Sequence, residues 1–256
     1  MHNELLTIGP FTVYGYGLMI AIGIILAYFM AEYRARKLGL KDEMVFSLVI
    51  CCVVFGFLGS KVLYTLTQLK EILADPSLIL EFADGWVVYG GIIGGIFGAW
   101  VCCKFHHVHL LDYLDLAAPA CALAQGFGRI GCFLAGCCYG MEYDGIFSIT
   151  FHNSAYAPNN VALLPTQLIS SGLDFANCIL LLLVARKSKK RGLITGIFLT
   201  LYSIGRFILE FFRGDLIRGK VGVLSTSQFI GLFTCGAGLI IWIYSWKKGV
   251  MRGEEE

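Results

Sequence analysis

Long apolar runs, each closed by a short polar or charged segment, recur along this chain from near its N-terminus to near its C-terminus. Each is about 18 to 22 residues, the length a helix needs to cross a hydrocarbon core of about 30 Å. They predict spans at Tyr14–Tyr33, Met44–Leu66, Trp86–Cys103, Asp112–Phe133, Pro165–Ala185, Thr195–Phe212 and Gln228–Trp246. The first run is too long for a signal-peptide core and lacks a small-residue cleavage site after it, so a retained helix is expected. Between the fourth and fifth runs, Leu134–Leu164 carries Gly136, Gly140, Gly145, Pro158, Asn159 and Asn160, a composition that predicts a loop-rich cap. Thr67–Gly85 is expected to hold a short interfacial helix.

The polar breaks alternate in charge, and the alternation predicts orientation. Arg34, Arg36, Lys37 and Lys41 follow the first span and Lys104 the third. Arg186, Lys187, Lys189, Lys190 and Arg191 follow the fifth, and Lys247, Lys248 and Arg252 the last. Such loops face the cytoplasm. The intervening breaks are acidic or mixed: Glu71, Asp75, Glu81 and Asp84, then Glu142 and Asp144, then Arg213–Lys220. These face outward, with the N-terminus out and the C-terminus in.

Composition narrows the class. With 57% hydrophobic and 15% charged residues and a mean hydropathy of +0.73, the chain is too apolar for a soluble domain. The formal charge of +2 reports topology; no basic patch with interleaved aromatics points to nucleic acid. The acidic tail Glu254–Glu256 is expected to be solvated. Without a linker, low-complexity tract or internal repeat, one domain over residues 1–256 is expected: an all-α polytopic membrane protein of about seven helices. Ten cysteines, including the adjacent pairs Cys51/Cys52, Cys102/Cys103 and Cys137/Cys138, do not form the pattern of a secreted disulfide framework. Gly90, Gly91, Gly94, Gly95 and Gly98 in the third span predict close helix packing, with Trp86 and Tyr89 at its outer interface.

Ionisable residues inside spans are expensive unless paired or hydrated, which makes each a functional candidate. Lys61 and Arg129 fall in the outer part of their spans, and Arg206 and Glu210, four residues apart, share one helix face with Arg213 a turn beyond. A purely structural Arg206–Glu210 pair, and snorkelling by Lys61 and Arg213, are the competing readings. Several cations at one depth with a single acid suit a phosphate-bearing lipid, because guanidinium forks match phosphate oxygens. Arg129 sits in Gln125-Gly126-Phe127-Gly128-Arg129-Ile130-Gly131-Cys132, whose glycines let a backbone or ligand come close. Three thiols follow, Cys132, Cys137 and Cys138, open to structural, disulfide, metal-binding or nucleophilic readings. His106, His107 and His109 lie in a cytoplasmic loop and are expected to be solvated.

Over nearly its whole length the chain resembles the prolipoprotein diacylglyceryl transferase family. The matching segments are Tyr16-Gly17-Leu18-Met19, Asp84-Gly85 with Tyr89-Gly90-Gly91, Gly128-Arg129-Ile130-Gly131, Pro165-Thr166-Gln167-Leu168, and Tyr202 through Arg206 to Glu210-Phe211-Phe212-Arg213. The resemblance implies a seven-helix enzyme of the bacterial inner membrane, with its site near the outer leaflet. It would move the diacylglyceryl group of phosphatidylglycerol to the lipobox cysteine of a prolipoprotein signal peptide and release glycerol phosphate. Its partners are then phosphatidylglycerol, prolipoprotein signal peptides and membrane lipids, with no cofactor and no resident metal expected.

By position, the resemblance makes Arg129 and Arg206 phosphate-handling catalytic residues, Glu210 the partner of Arg206, and Tyr89 a catalytic position. Tyr16 and Tyr202 look like the family's pocket tyrosines, and Lys61, Arg213, Gly90, Gly91, Cys132 and Cys137 are expected as further substrate-binding positions. Tyr89 stands where the family carries histidine, Cys132 and Ala135 where it carries asparagine, Cys137 where it carries glutamate, and Ile169-Ser170 where it carries Tyr-Glu. Two alternatives therefore stand beside the transferase reading. One is a paralogue that keeps the lipid-phosphate pocket and uses outward cysteines for other transfer or redox chemistry. The other is a non-catalytic lipid-binding or flipping protein.

Overall fold

The computed structural model describes residues 4–8, 11–69, 87–215 and 219–248. Among the described residues, seven helices occupy the predicted places: α1 Gly15–Leu38, α2 Glu43–Thr67, α3 Val88–Phe105, α4 Leu110–Ala135, α5 Thr166–Lys187, α6 Leu193–Glu210 and α7 Thr226–Lys248. Each run of apolar side chains forms a helix because, without water, only intrahelical bonding satisfies its backbone. Six of the seven are long and apolar enough to cross a membrane, which makes this a multi-pass membrane protein. The exception is α4. Its 26 residues reach about 39 Å, yet Asp112, Asp115, Gln125 and Arg129 lower its apolarity. It is a polar helix whose Asp115, Leu116, Ala118 and Ala122 are buried in protein rather than offered to lipid.

The described residues also hold three short antiparallel strand pairs: β1 Glu4–Ile8 with β2 Phe11–Tyr14, β3 Ile149–Thr150 with β4 Ala162–Leu163, and β5 Lys220–Val221 with β6 Leu224–Ser225. The region between α4 and α5 is loop-rich as expected, organised by the β3–β4 pair and a small core of Phe151, Ala157 and Leu163. The interfacial helix expected within Thr67–Gly85, the Trp86 anchor and the Glu254–Glu256 tail lie outside the described residues.

The chain forms two compact units, Glu32–Tyr113 and Met1–Ala31 with Leu114–Glu256. In the first, α2 and α3 pack backbone on backbone. A β-carbon added at Gly90 would collide with Gly59 O, one at Gly94 with Phe55 O, and one at Gly98 would lie 2.6 Å from Cys51 O. Glycine every fourth residue removes the side chains from one stripe of α3, and the small gap favours close van der Waals contact. His106, His107 and His109, beyond this helix, are exposed.

In the second unit, Ala118 and Ala122 of α4, Cys178 and Leu181 of α5, and Leu193, Ile194 and Ile197 of α6 form one core. Asp115 explains its own burial. Its carboxylate accepts from Gly192 N and Thr195 N, each at 2.8 Å, and from Thr195 Oγ1 at 2.7 Å. A carboxylate from another helix thus caps the first turn of α6, where unsatisfied N–H groups and the positive dipole end lie.

Candidate active site

Beyond the core of the second unit, α4, α5 and α6 converge on polar side chains. Gly126 places α4 against α5: a β-carbon there would meet the Phe175 ring at 2.5 Å, and Ser171 Oγ donates to Gly126 O at 2.9 Å. One turn later comes Arg129. The helix then stops at Ala135, with Gly136 at φ +77° and Cys137 N bonded back to Cys132 O at 3.1 Å. This left-handed glycine ending turns the chain sharply.

The turn is pinned from α5. Gln167 Nε2 donates to Cys137 O at 2.9 Å and Thr166 Oγ1 to Cys138 O at 3.0 Å. The chain leaving α6 is stitched to the same loop: Met141 N donates to Phe212 O at 2.9 Å, Gly214 N to Tyr139 O at 3.1 Å, and Gly140 pairs with Arg213. Backbone pairing therefore delivers Arg213 to the ends of α4 and α5.

The result is a narrow, half-open cleft lined by Arg129, Arg206 and Arg213 with Cys138, Thr166, Gln167, Ser170 and Leu209. The arginines differ in their partners. Arg206 Nη2 lies 2.8 Å from Glu210 Oε2, which is also 3.7 Å from Arg213 Nη1. Arg213 forks onto Asp215, with Nε to Oδ1 at 2.8 Å and Nη2 to Oδ2 at 2.5 Å. Among the described residues no carboxylate forms an ion pair with Arg129. Tyr202, Cys132, Cys138 and Asp174 lie within its electrostatic reach. A guanidinium held without a close counter-ion, beside two that are braced by theirs, has the chemistry to receive an anion.

Sequence reasoning placed Arg129, Arg206, Arg213 and Glu210 together, and the fold does so. Tyr16 lies over Gly131, where a β-carbon would meet its ring at 3.2 Å, and within electrostatic reach of the three thiols and Arg129. Tyr202 stacks on Phe198 with centroids 6.0 Å apart and reaches Arg129 and Arg206 electrostatically. Cys132, Cys137 and Cys138 bring their sulfurs within 4.8 Å of one another. Hydrogen bonds with Cys132 and Cys138, with burial added, hold the Cys137 thiol above its ordinary pKa. The remaining candidates belong to the other unit. There Lys61 Nζ stands 5.4 Å from the Tyr64 ring centroid, Tyr89 is half-buried at the start of α3, and Gly90 and Gly91 pack on α2.

Several site residues escaped sequence reasoning. Asp174 of α5 is buried, lies within electrostatic reach of both Arg129 and Arg206, and has an oxygen, Oδ2, without a hydrogen-bond partner. Its signal was present, an acid amid an apolar helix. Thr166, Gln167 and Ser170 lie in or beside the segment Pro165-Thr166-Gln167-Leu168 that carries the family resemblance, but their place at the cleft comes from where the loop after α4 lands.

Comparison with known proteins gives the family of the chain. Residues 3–244 match the family model described as prolipoprotein diacylglyceryl transferase. A phosphatidylglycerol–prolipoprotein diacylglyceryl transferase of Clostridium tetani is 44% identical over 230 residues, covering 90% of this chain and 92% of that one. In Clostridium perfringens, the transferase numbered 2 is 44% identical over 238 residues, 93% of each chain, and the one numbered 1 is 30% identical over 255 residues.

Proposed function

This chain belongs to the prolipoprotein diacylglyceryl transferase family, and we propose that the arginine cleft of α4, α5 and α6 is where it does that family's chemistry. It is a transferase of lipoprotein biosynthesis: the diacylglyceryl group of phosphatidylglycerol passes to a prolipoprotein cysteine. The acceptor is the thiol of a lipobox in a signal peptide, and glycerol phosphate leaves. The observation that carries the placement is the convergence of Arg129 and Arg206 on one cleft, with Arg129 unpaired by any carboxylate among the described residues.

The chemistry follows from the charges. The acceptor thiol gives its proton to water, its sulfur attacks the glyceryl carbon that bears the phosphate, and the departing phosphate oxygen gathers negative charge as the C–O bond breaks. Arg129 and Arg206 meet that charge from fixed positions, so little reorganisation is needed. Glu210 orients Arg206, and the Asp215 fork holds Arg213 in place. Tyr16 and Tyr202 flank the lipid. The distribution of Lys and Arg supports an orientation with the cleft end towards the outer leaflet of the cytoplasmic membrane, the N-terminus outside and the C-terminus inside.

The test is mass spectrometry of a lipobox peptide incubated with the purified protein and phosphatidylglycerol. A diacylglyceryl thioether on the cysteine is expected. A peptide left unmodified, with the protein folded and lipid present, overturns the proposal.

A further inference from the structure

Three thiols beside a cationic cleft are more than that cleft needs. Cys132 is on the last turns of α4, and Cys137 and Cys138 are on the turn that follows, where Cys138 takes φ +60°. That left-handed residue and Gly136 fold the chain back so that all three sulfurs lie within 4.8 Å of one another. Zn–S bonds of about 2.3 Å set the sulfurs of one tetrahedral ion about 3.8 Å apart, a modest contraction of this triangle. None of the three is in a disulfide.

A second observation points to a ligand at the same place. Gln167 is 1% exposed, lines the cleft with Cys138 and Arg129, and spends its Nε2 on Cys137 O. Its Oε1 has no hydrogen-bond partner. A buried acceptor left over on the side chain that bonds Cys137 O and shares a cleft with Cys138 is what a ligand bound there would satisfy. Charge fits as well. Three thiolates and one dication sum to −1, and an acceptor thiolate in the fourth position brings this to −2; Arg129, within electrostatic reach of Cys132 and Cys138, supplies +1, and Arg206 lines the same cleft.

We propose that Cys132, Cys137 and Cys138 hold one thiophilic closed-shell cation of the Zn2+ class, whose open fourth position takes the acceptor thiol; the second clause rests on the transferase reading above. The acceptor binds as its thiolate and its proton passes to water, since a coordinated thiol is deprotonated outright. A sulfur lone pair then forms the S–C bond to the glyceryl carbon. The C–O bond breaks, and its electron pair leaves on the phosphate oxygen facing Arg129 and Arg206. The thioether formed is neutral, a poor ligand, and departs. No oxidant or reductant is consumed. A metal-bound thiolate makes a protein base for the acceptor unnecessary.

The first test is Cd2+ titration of the reduced, detergent-purified protein, followed by its ultraviolet sulfur-to-cadmium band. One equivalent is expected, and Zn2+ should compete for it and shield the three thiols from alkylation. Cys132→Ser and Cys137→Ser should each weaken binding by at least the about 10- to 100-fold that outer partners alone contribute. Cys235→Ser, in α7, should not. Absence of the band in unmodified reduced protein, or a band unchanged in both site variants, overturns the cation site. If the serine variants fail to fold, the band and the alkylation shield in the parental protein still decide.

Chelation tests the fourth position. Metal-free protein should transfer lipid to a lipobox peptide at least about tenfold more slowly than Zn2+-loaded protein, the change that one tenfold loss in acceptor thiolate would give. Equal rates overturn the acceptor's place on the metal. No transfer by either form overturns the transferase reading, whereas stoichiometric Cd2+ binding would still support the cation site.

Discussion

The α2–α3 pair and the α4–α5–α6 group solve the same problem, packing helices in lipid, by opposite means. In the first, Gly90, Gly94 and Gly98 strip α3 of side chains along one stripe, and backbone meets backbone at Gly59, Phe55 and Cys51. In the second, the helices stand apart around Arg129, Asp174, Arg206 and Glu210 and leave a cleft. Dispersion contacts hold the first pair, and little chemistry fits between them. The second group accepts the cost of buried polar groups. Gln125 Oε1, Gln167 Oε1, Asp174 Oδ2 and Asn177 Oδ1 have no hydrogen-bond partners there. Groups so placed ask for a ligand. Where the backbone closes the gap no room is left for a ligand, and where side chains hold it open a polar cleft remains.

That contrast can be broken most sharply at the arginines. Arg129→Ala and Arg206→Ala should each slow diacylglyceryl transfer by roughly 10²- to 10³-fold, about 2.7 to 4 kcal/mol in the barrier, with the unfolding midpoint in detergent little changed. Parental rates would remove the cleft from the chemistry. The reverse signature is expected of Gly94→Val. Its side chain would strike Phe55 O, so a stability loss of about 1 to 3 kcal/mol should appear in thermal unfolding. A variant as stable as the parent would show that α2 and α3 are not in backbone contact.

Asp174→Asn sharpens the polar side of the comparison. It keeps the shape and removes a charge within reach of Arg129 and Arg206. Transfer should fall about tenfold, as for a charge contact of about 1.5 kcal/mol, without loss of folded protein. Stability falling while the rate holds would make Asp174 a packing residue. The smallest effect belongs to Gly95→Ala. Its β-carbon would sit 3.6 Å from Cys52 O, an ordinary contact, so unfolding should move by no more than about 0.5 kcal/mol.

The helices were readable because lipid imposes one rule on the backbone, and the apolar runs report it directly. Only α4 departed from the expectation of a plain span. The polar residues that mark it as the site helix, Asp112, Asp115, Gln125 and Arg129, also make it too polar for lipid on all sides. Arg129, Arg206, Glu210 and Arg213 were legible for the same reason, charge where charge is costly. Asp174 carried that signal and was passed over among the apolar residues of α5. Gln167 and Thr166 could not have been singled out by any such rule, since ordinary polar residues at a helix start draw no notice.

By itself the amino-acid sequence determined the seven helices, the family and the arginines, because hydropathy and rare intramembrane charge are local properties of the chain. Only the tertiary structure decided which glycines close a helix pair, that Asp115 caps α6, and that Gln167 pins the turn carrying three converging sulfurs. Those depend on distances between segments far apart in sequence. Such distances are set by packing, which no single stretch of residues encodes.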